Sequence, residues 1–141
     1  MRSVVVDASA ALAWILPSQA TKASGLMLDQ ADGLRFESPA IFDWEVRNVL
    51  LKVERRRAFP SKAYDEALLF HASLKVQLHA PSIGMEELGA LARANGLSLF
   101  DAAYLALALD HDWPLASRDE ALLKAAADAG IECFDLRATT P

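Results

Sequence analysis

Cysteine is almost missing from this 141-residue chain; Cys133 is the only one. A lone thiol forms no internal disulfide and supplies no Cys-based zinc site, so nothing points to an oxidising compartment. Histidine is scarce as well. His71, His79 and His111 are scattered without helical metal-binding spacing, and no catalytic histidine is indicated. No Gly-rich phosphate loop, nucleophile elbow or zinc motif occurs. No apolar run approaches the roughly 20 residues that cross a bilayer. Arg2 followed by a short apolar stretch broken at Asp7 is no signal peptide, and the expected location is the cytoplasm. A basic surplus is also lacking: 14 Lys and Arg stand against 19 Asp and Glu, a formal net charge of -5. That argues against broad non-specific nucleic-acid binding. It leaves room for an enzyme that handles nucleic acid through a bound metal and a local basic patch.

What is present is ample material for a core. Hydrophobic residues make up 53% and charged residues 23%, the balance of a folded chain. The length fits one domain over 1–141, with no repeat, low-complexity tract or linker. SVVVD at 3–7 reads as a strand buried on both faces. ASAALAWIL reads as a short helix stopped near Pro17, and a helix over 20–31 has Gly33 as its stop. LRFES at 34–38 reads as a strand ended by Pro39, followed by an amphipathic helix over 40–57 with Asp43 as its N-cap. A helix from Ser61 to about Leu74, a short strand VQLHAP and a helix over 83–95 closed by Gly96 come next. Residues 99–110 are apolar nearly all round and read as a buried helix. PLAS, the helix DEALLKAAADAG and the strand IECFDL complete the chain. Strands alternating with helices predict an α/β fold with a mostly parallel sheet.

Four acids stand where solubility does not explain them. Asp7 ends the run VVVD, Glu45 lies in WEVRNVLLKVERR, Asp101 heads FDAAYLALAL and Asp119 follows PLASR. Carboxylates at the edge of apolar elements cost desolvation energy unless something pairs with them. Four such groups without matching buried cations point to a hard divalent ion such as Mg²⁺ or Mn²⁺, which takes oxygen ligands. Ligands bind open parallel sheets at the carboxyl ends of the strands, where Asp7 and Asp119 are expected. Asp101 falls in the first turn of a buried helix. Glu45 lies about 40° around its helix from Val49, at the border of the buried stripe. A common cleft is geometrically reasonable.

Each acid also has a plain structural explanation. Asp7 or Ser9 caps the first helix. Ser117 caps the helix that follows PLAS, with Glu120 completing the box and Asp119 favouring the dipole. Asp101 stands three residues after Ser98 in the same way, and Glu45 has Arg47 or Lys52 as a surface partner, although its i+3 and i+4 neighbours are Asn48 and Val49. Capping explains many such residues one at a time. All four at strand ends or on helices bordering the core favour the metal site. Trp14, Trp44 and Trp113 read as core or interface residues. The cluster Lys52, Arg55, Arg56, Arg57 and Lys62 reads as a solvated helix end that also suits a phosphate backbone or a partner.

The segments VVVDASAALAW, WEVRNVL, LSLFDAAYLALA and PLASRDEALLKAA, in that order and over nearly the whole chain, resemble the PIN-domain family. More specifically they resemble the VapC toxins of type II toxin–antitoxin pairs. The resemblance implies a three-layer α/β/α sandwich with a central, mostly parallel sheet. It implies a Mg²⁺- or Mn²⁺-dependent endoribonuclease whose metal-binding acids fall on Asp7, Glu45, Asp101 and Asp119. The family's hydroxyl residues fall on Ser9 and Ser117, position 117 being more often Thr, and Asn48 matches a frequent residue near the site. It further implies a homodimer and a VapB-like antitoxin that blocks the acidic cleft, with operator DNA bound only through that antitoxin. Alternatives are a PIN nuclease of RNA processing and a non-catalytic PIN scaffold that receives a basic peptide. A phosphatase with an aspartyl nucleophile is weaker: Asp7 after a strand suits it, but position 9 is Ser where a DxD pattern needs Asp.

Overall fold

The computed structural model describes residues 1–56 and 60–137, so Arg57 of the basic cluster lies outside the described residues. Strand β1 (Arg2–Val6) carries Val4, Val5 and Val6, all fully buried. Successive strand side chains point to opposite faces. A run buried at every position therefore requires cover on both faces, the mark of a parallel sheet between helical layers.

Helix α1 (Ala8–Ile15) follows at once, then α2 (Lys22–Asp29), β2 (Leu34–Pro39), α3 (Ile41–Arg55), α4 (Ser61–Ser73) and β3 (Gln77–His79). Helices α5 (Met85–Asn95) and α6 (Leu99–His111), β4 (Leu115–Ser117), α7 (Glu120–Asp128) and β5 (Cys133–Asp135) complete the described chain. The five strands form one sheet in the order β3-β2-β1-β4-β5, every pair parallel. Parallel neighbours need crossover connections, which the helices supply. Helix α1 packs with α2, α3 and α4, whereas α6 packs with α5 and α7 and lies on β1 and β2. Among the described residues no helix is long and apolar enough to cross a membrane.

Local chemistry explains the boundaries. Thr21 and Ser24 make a capping box, so α2 starts at Lys22 and not at 20. It ends at Asp29, and Ala31–Gly33 form a separate 3-10 turn. Gly96, with φ +64°, closes α5 in the left-handed conformation that glycine adopts at little cost.

Two expectations are corrected. Asp43 does not cap α3. Pro39 ends β2, Ala40 is already helical, and the helix begins at Ile41 with Ala40 at the cap position. Asp43 instead sits in the first turn, where it accepts hydrogen bonds from Arg47 Nε (2.9 Å) and pairs with His71 Nε2 (2.8 Å). Helix α6 is not buried all round either. Ala102, Leu105 and Ala108 face the interior, while Leu99, Phe100 and Leu109 are exposed, because neighbouring elements cover only part of the helix. The tryptophans also divide. Trp14 is buried and stacks on Phe36, Trp113 is half-buried and stacks on His111, and Trp44 is exposed.

Candidate metal centre

Strands β1 and β4 are adjacent and parallel, so their carboxyl ends deliver Asp7 and Asp119 to the same edge of the sheet. Both acids cap helices. Asp7 Oδ1 accepts from the Ala10 amide at 2.9 Å, and Asp119 Oδ2 accepts from the Leu122 amide at 2.8 Å. The cap of α7 is thus Asp119 itself, not Ser117.

Ser117 has another task. Its hydroxyl donates to Asp7 Oδ2 at 2.5 Å and accepts from the Asp119 amide at 2.9 Å. Ser9 mirrors it, donating to Asp7 Oδ1 at 2.7 Å and accepting from the Arg118 amide at 2.9 Å. The two hydroxyl oxygens stand 3.4 Å apart. Asp7 is therefore clamped on both carboxylate oxygens, although it is a buried acid.

Glu45 and Asp101 arrive on helices. Ser98 caps α6 and accepts from the Asp101 amide at 3.0 Å, which places Asp101 in the first turn. One turn further on, the Tyr104 hydroxyl donates to Glu45 Oε1 at 2.6 Å and ties α3 to α6. Tyr104 is itself buried. The sequence reading passed over it. Its signal was a hydroxyl three residues after Asp101, on the same helix face.

The carboxyls sense one another. Burial pushes Asp7 from 3.8 up to about 6, against the lowering pull of its hydrogen bonds from Ser117, Ser9 and Ala10, with a further upward push from Asp101. Glu45 is raised by burial and by Asp101, while the Tyr104 bond works the other way. Asp101 is raised by burial and then by the charge of Asp119. Asp101 is thus the acid coupled to each of the other three. Like charges brought together disfavour ionisation in this way. Among the described residues none of the four acids has a Lys, Arg or His partner within 4.0 Å.

An all-oxygen donor set that lacks a cation has the chemistry that suits Mg²⁺ or Mn²⁺. It is not drawn into a cage: among the described residues no three His, Cys, Asp or Glu side chains are gathered as a set ready to hold a metal ion. Magnesium commonly keeps several waters and takes few carboxylates, so a loosely spaced set is compatible with it. Beside Glu45 runs a groove of about 540 Å³ lined by Asp43, Trp44, Glu45, Arg47, Asn48, Leu51 and Phe100. A smaller cavity of about 220 Å³, at the other end of α6 near His79, Asp110 and His111, contains none of the candidate site residues.

A five-stranded all-parallel sheet between helical layers, with Asp7 and Asp119 just past the carboxyl ends of two adjacent strands, defines an α/β/α sandwich. The PIN domain family signature matches residues 4–128, and the chain belongs to that family. Two solved structures share the fold, each with a TM-score of 0.62. PAE2754 from Pyrobaculum aerophilum is 23% identical over 88% of this chain and 79% of its own. FitAcB from Neisseria gonorrhoeae is 16% identical over 95% of this chain and 98% of its own. No curated protein sequence matches the chain.

Proposed function

We propose that this protein is a Mg²⁺- or Mn²⁺-dependent endoribonuclease, the toxin of a VapBC-type pair, with Asp7, Glu45, Asp101 and Asp119 as metal-binding acids. One observation carries the reading. Burial raises Asp7, Glu45 and Asp101, the charge of Asp101 adds to the first two and that of Asp119 to the third, and among the described residues none of the four acids has a Lys, Arg or His partner within 4.0 Å. Such a cluster costs folding energy, which binding of a cation would offset.

A divalent ion held there supplies charge neutralisation at a phosphate and a lowered pKa of water. The chain's own residues do the positioning. Ser9 and Ser117 fix the plane of the Asp7 carboxylate, and Ser117 links it to the Asp119 backbone. Tyr104 holds Glu45 by Oε1, while Oε2 takes no hydrogen bond from the described residues and is the oxygen to orient an attacking water. Hydrolysis of an RNA phosphodiester then needs neither a protein nucleophile nor a histidine.

The same reading includes a single domain, a cytoplasmic location, a homodimer and a VapB-like antitoxin that covers the acidic cleft and carries any operator DNA contact. Total RNA incubated with the protein and Mg²⁺ should be cut at discrete sites. EDTA or Asp101→Asn should abolish the cutting, and full activity in EDTA would sink the proposal. Growth arrest on expression, relieved by a co-expressed neighbouring gene, separates a toxin from a nuclease of RNA processing. The absence of a ready-made ligand trio favours a second reading, a non-catalytic scaffold for a basic peptide. Calorimetry with Mn²⁺ decides between them, since the scaffold binds none.

A further inference from the structure

Trp44 is 80% exposed and Phe100 is 55% exposed, in a chain with material enough to bury both. Large aromatics left in water at one place mark a binding surface. Both line the groove beside Glu45. Each is also the residue immediately before a candidate metal-binding acid, in Trp44–Glu45 and Phe100–Asp101. The two rings come from separate helices, α3 and α6, and share the groove wall with Glu45.

The other walls are not those of a plain apolar interface. Asn48 is exposed and offers an amide, and Arg47 is held to Asp43 at 2.9 Å, so its charge is already matched. A volume of about 540 Å³ suits a small planar group. Charge supplies the remaining argument. Affinity for a phosphate backbone normally comes from Lys and Arg, and a chain of net charge -5 has little to offer in bulk. Binding then gains from a contact that does not depend on neutralising phosphates. Stacking of bases on aromatic rings is such a contact, tolerant of sequence because every base has a π-face. Unpaired bases are the ones free to use it.

We propose that Trp44 and Phe100 form a stacking subsite for an unpaired RNA base next to the cleaved phosphodiester, with Asn48 hydrogen-bonding to the edge of that base. The subsite rests on the ribonuclease reading above and assigns these two rings to the base beside the cleaved bond. Trp44 and Phe100 are positioning residues and take no part in bond breaking.

The test uses the full chain with Mg²⁺, a short single-stranded RNA and the same RNA annealed to its complement. The wild type should cleave the single strand and spare the duplex. Trp44→Ala should raise KM for the single strand by roughly 5- to 100-fold, the range of one base stack, with kcat changed much less. Trp44→Phe should restore most of the loss, and Phe100→Ala should act in the same direction. An unchanged KM in Trp44→Ala, in a preparation whose wild type cleaves RNA, overturns the subsite and leaves the ribonuclease reading standing. Sedimentation of each variant supplies the other check. If Trp44→Ala turns a dimer into a monomer and RNA binding falls only in step with that loss, the face belongs to a second copy and the subsite is wrong. If the wild type neither binds nor cleaves any RNA, the ribonuclease reading has failed and the subsite falls with it.

Discussion

The Tyr104 hydroxyl and Glu45 Oε1 are joined by a hydrogen bond of 2.6 Å that links the first half of α6 to α3. Burial and the Asp101 charge raise the Glu45 pKa while this bond resists them. Tyr104→Phe should therefore raise it further and move the acidic limb of the pH–cleavage profile upward. Loss of the donor should also cost about 1 kcal/mol of stability, the usual scale of one hydrogen bond. Urea denaturation and a pH profile of cleavage check both effects; an unmoved profile counts against a role for Glu45 in orienting water.

Asp7 should make the protein less stable as pH rises. Its folded-state value, about 6, lies above the ordinary 3.8, so the folded state holds the proton more tightly than the unfolded chain. The stabilisation is complete below about pH 4 and is lost as pH climbs through 6. Asp7→Asn removes that penalty but disturbs the bond from Ser117. The net gain at neutral pH without metal should be about 1 kcal/mol, out of about 3 for a shift of this size. Denaturation at acidic and neutral pH should show the gap between wild type and variant opening only at the higher value. Asp43 has the opposite sign: burial raises it, but hydrogen bonds from His71 and Arg47 prevail and hold it low, so its contribution disappears on acidification.

Ser117→Ala should be costly for a small change. It leaves Asp7 Oδ2 and the Asp119 amide without their shared partner in a fully buried place. A loss of about 2–3 kcal/mol is expected, from unsatisfied groups that cannot reach water. Thermal denaturation measures it, and a change within error would mean that the clamp contributes nothing.

Adding Mg²⁺ or Mn²⁺ should raise the melting temperature, because a ligand that binds only the folded state stabilises it by mass action. In Asp101→Asn the metal-dependent rise should shrink sharply, since Asp101 is coupled to the other three acids. The variant without metal should melt no lower than the wild type without metal. An equal metal response in both proteins would remove Asp101 from the site.

Much of this was legible in the chain because its signals are local. VVV, with every residue apolar, announced a strand covered on both faces, and Val4, Val5 and Val6 are all fully buried. Pro17 and Gly96 marked helix limits through their own backbone chemistry, and Ser98 through its capping hydroxyl. The acids stood out by contrast with apolar neighbours. What escaped notice depends on partners far away in sequence. Glu37, inside β2, is a fully enclosed carboxylate satisfied by Ser3, His79 and Arg35, and nothing in LRFES foretells that trio. The role of Ser117 arises across 110 residues, from a strand pairing that no local pattern specifies. Asp43 misled because Asp is a favoured cap, whereas Ala40 had already turned helical two residues after Ser38. Helix α6 misled because apolar composition records what a helix is made of, not which neighbours reach it.

Residues 7, 45, 101 and 119 come from widely separated stretches of the chain, and the hydroxyl that locks the first of them belongs to β4. A nascent polypeptide emerging from the ribosome would therefore carry no assembled centre until residue 119 had been made. For a protein proposed to destroy RNA, that ordering delays danger to the messenger and ribosome that are still producing it.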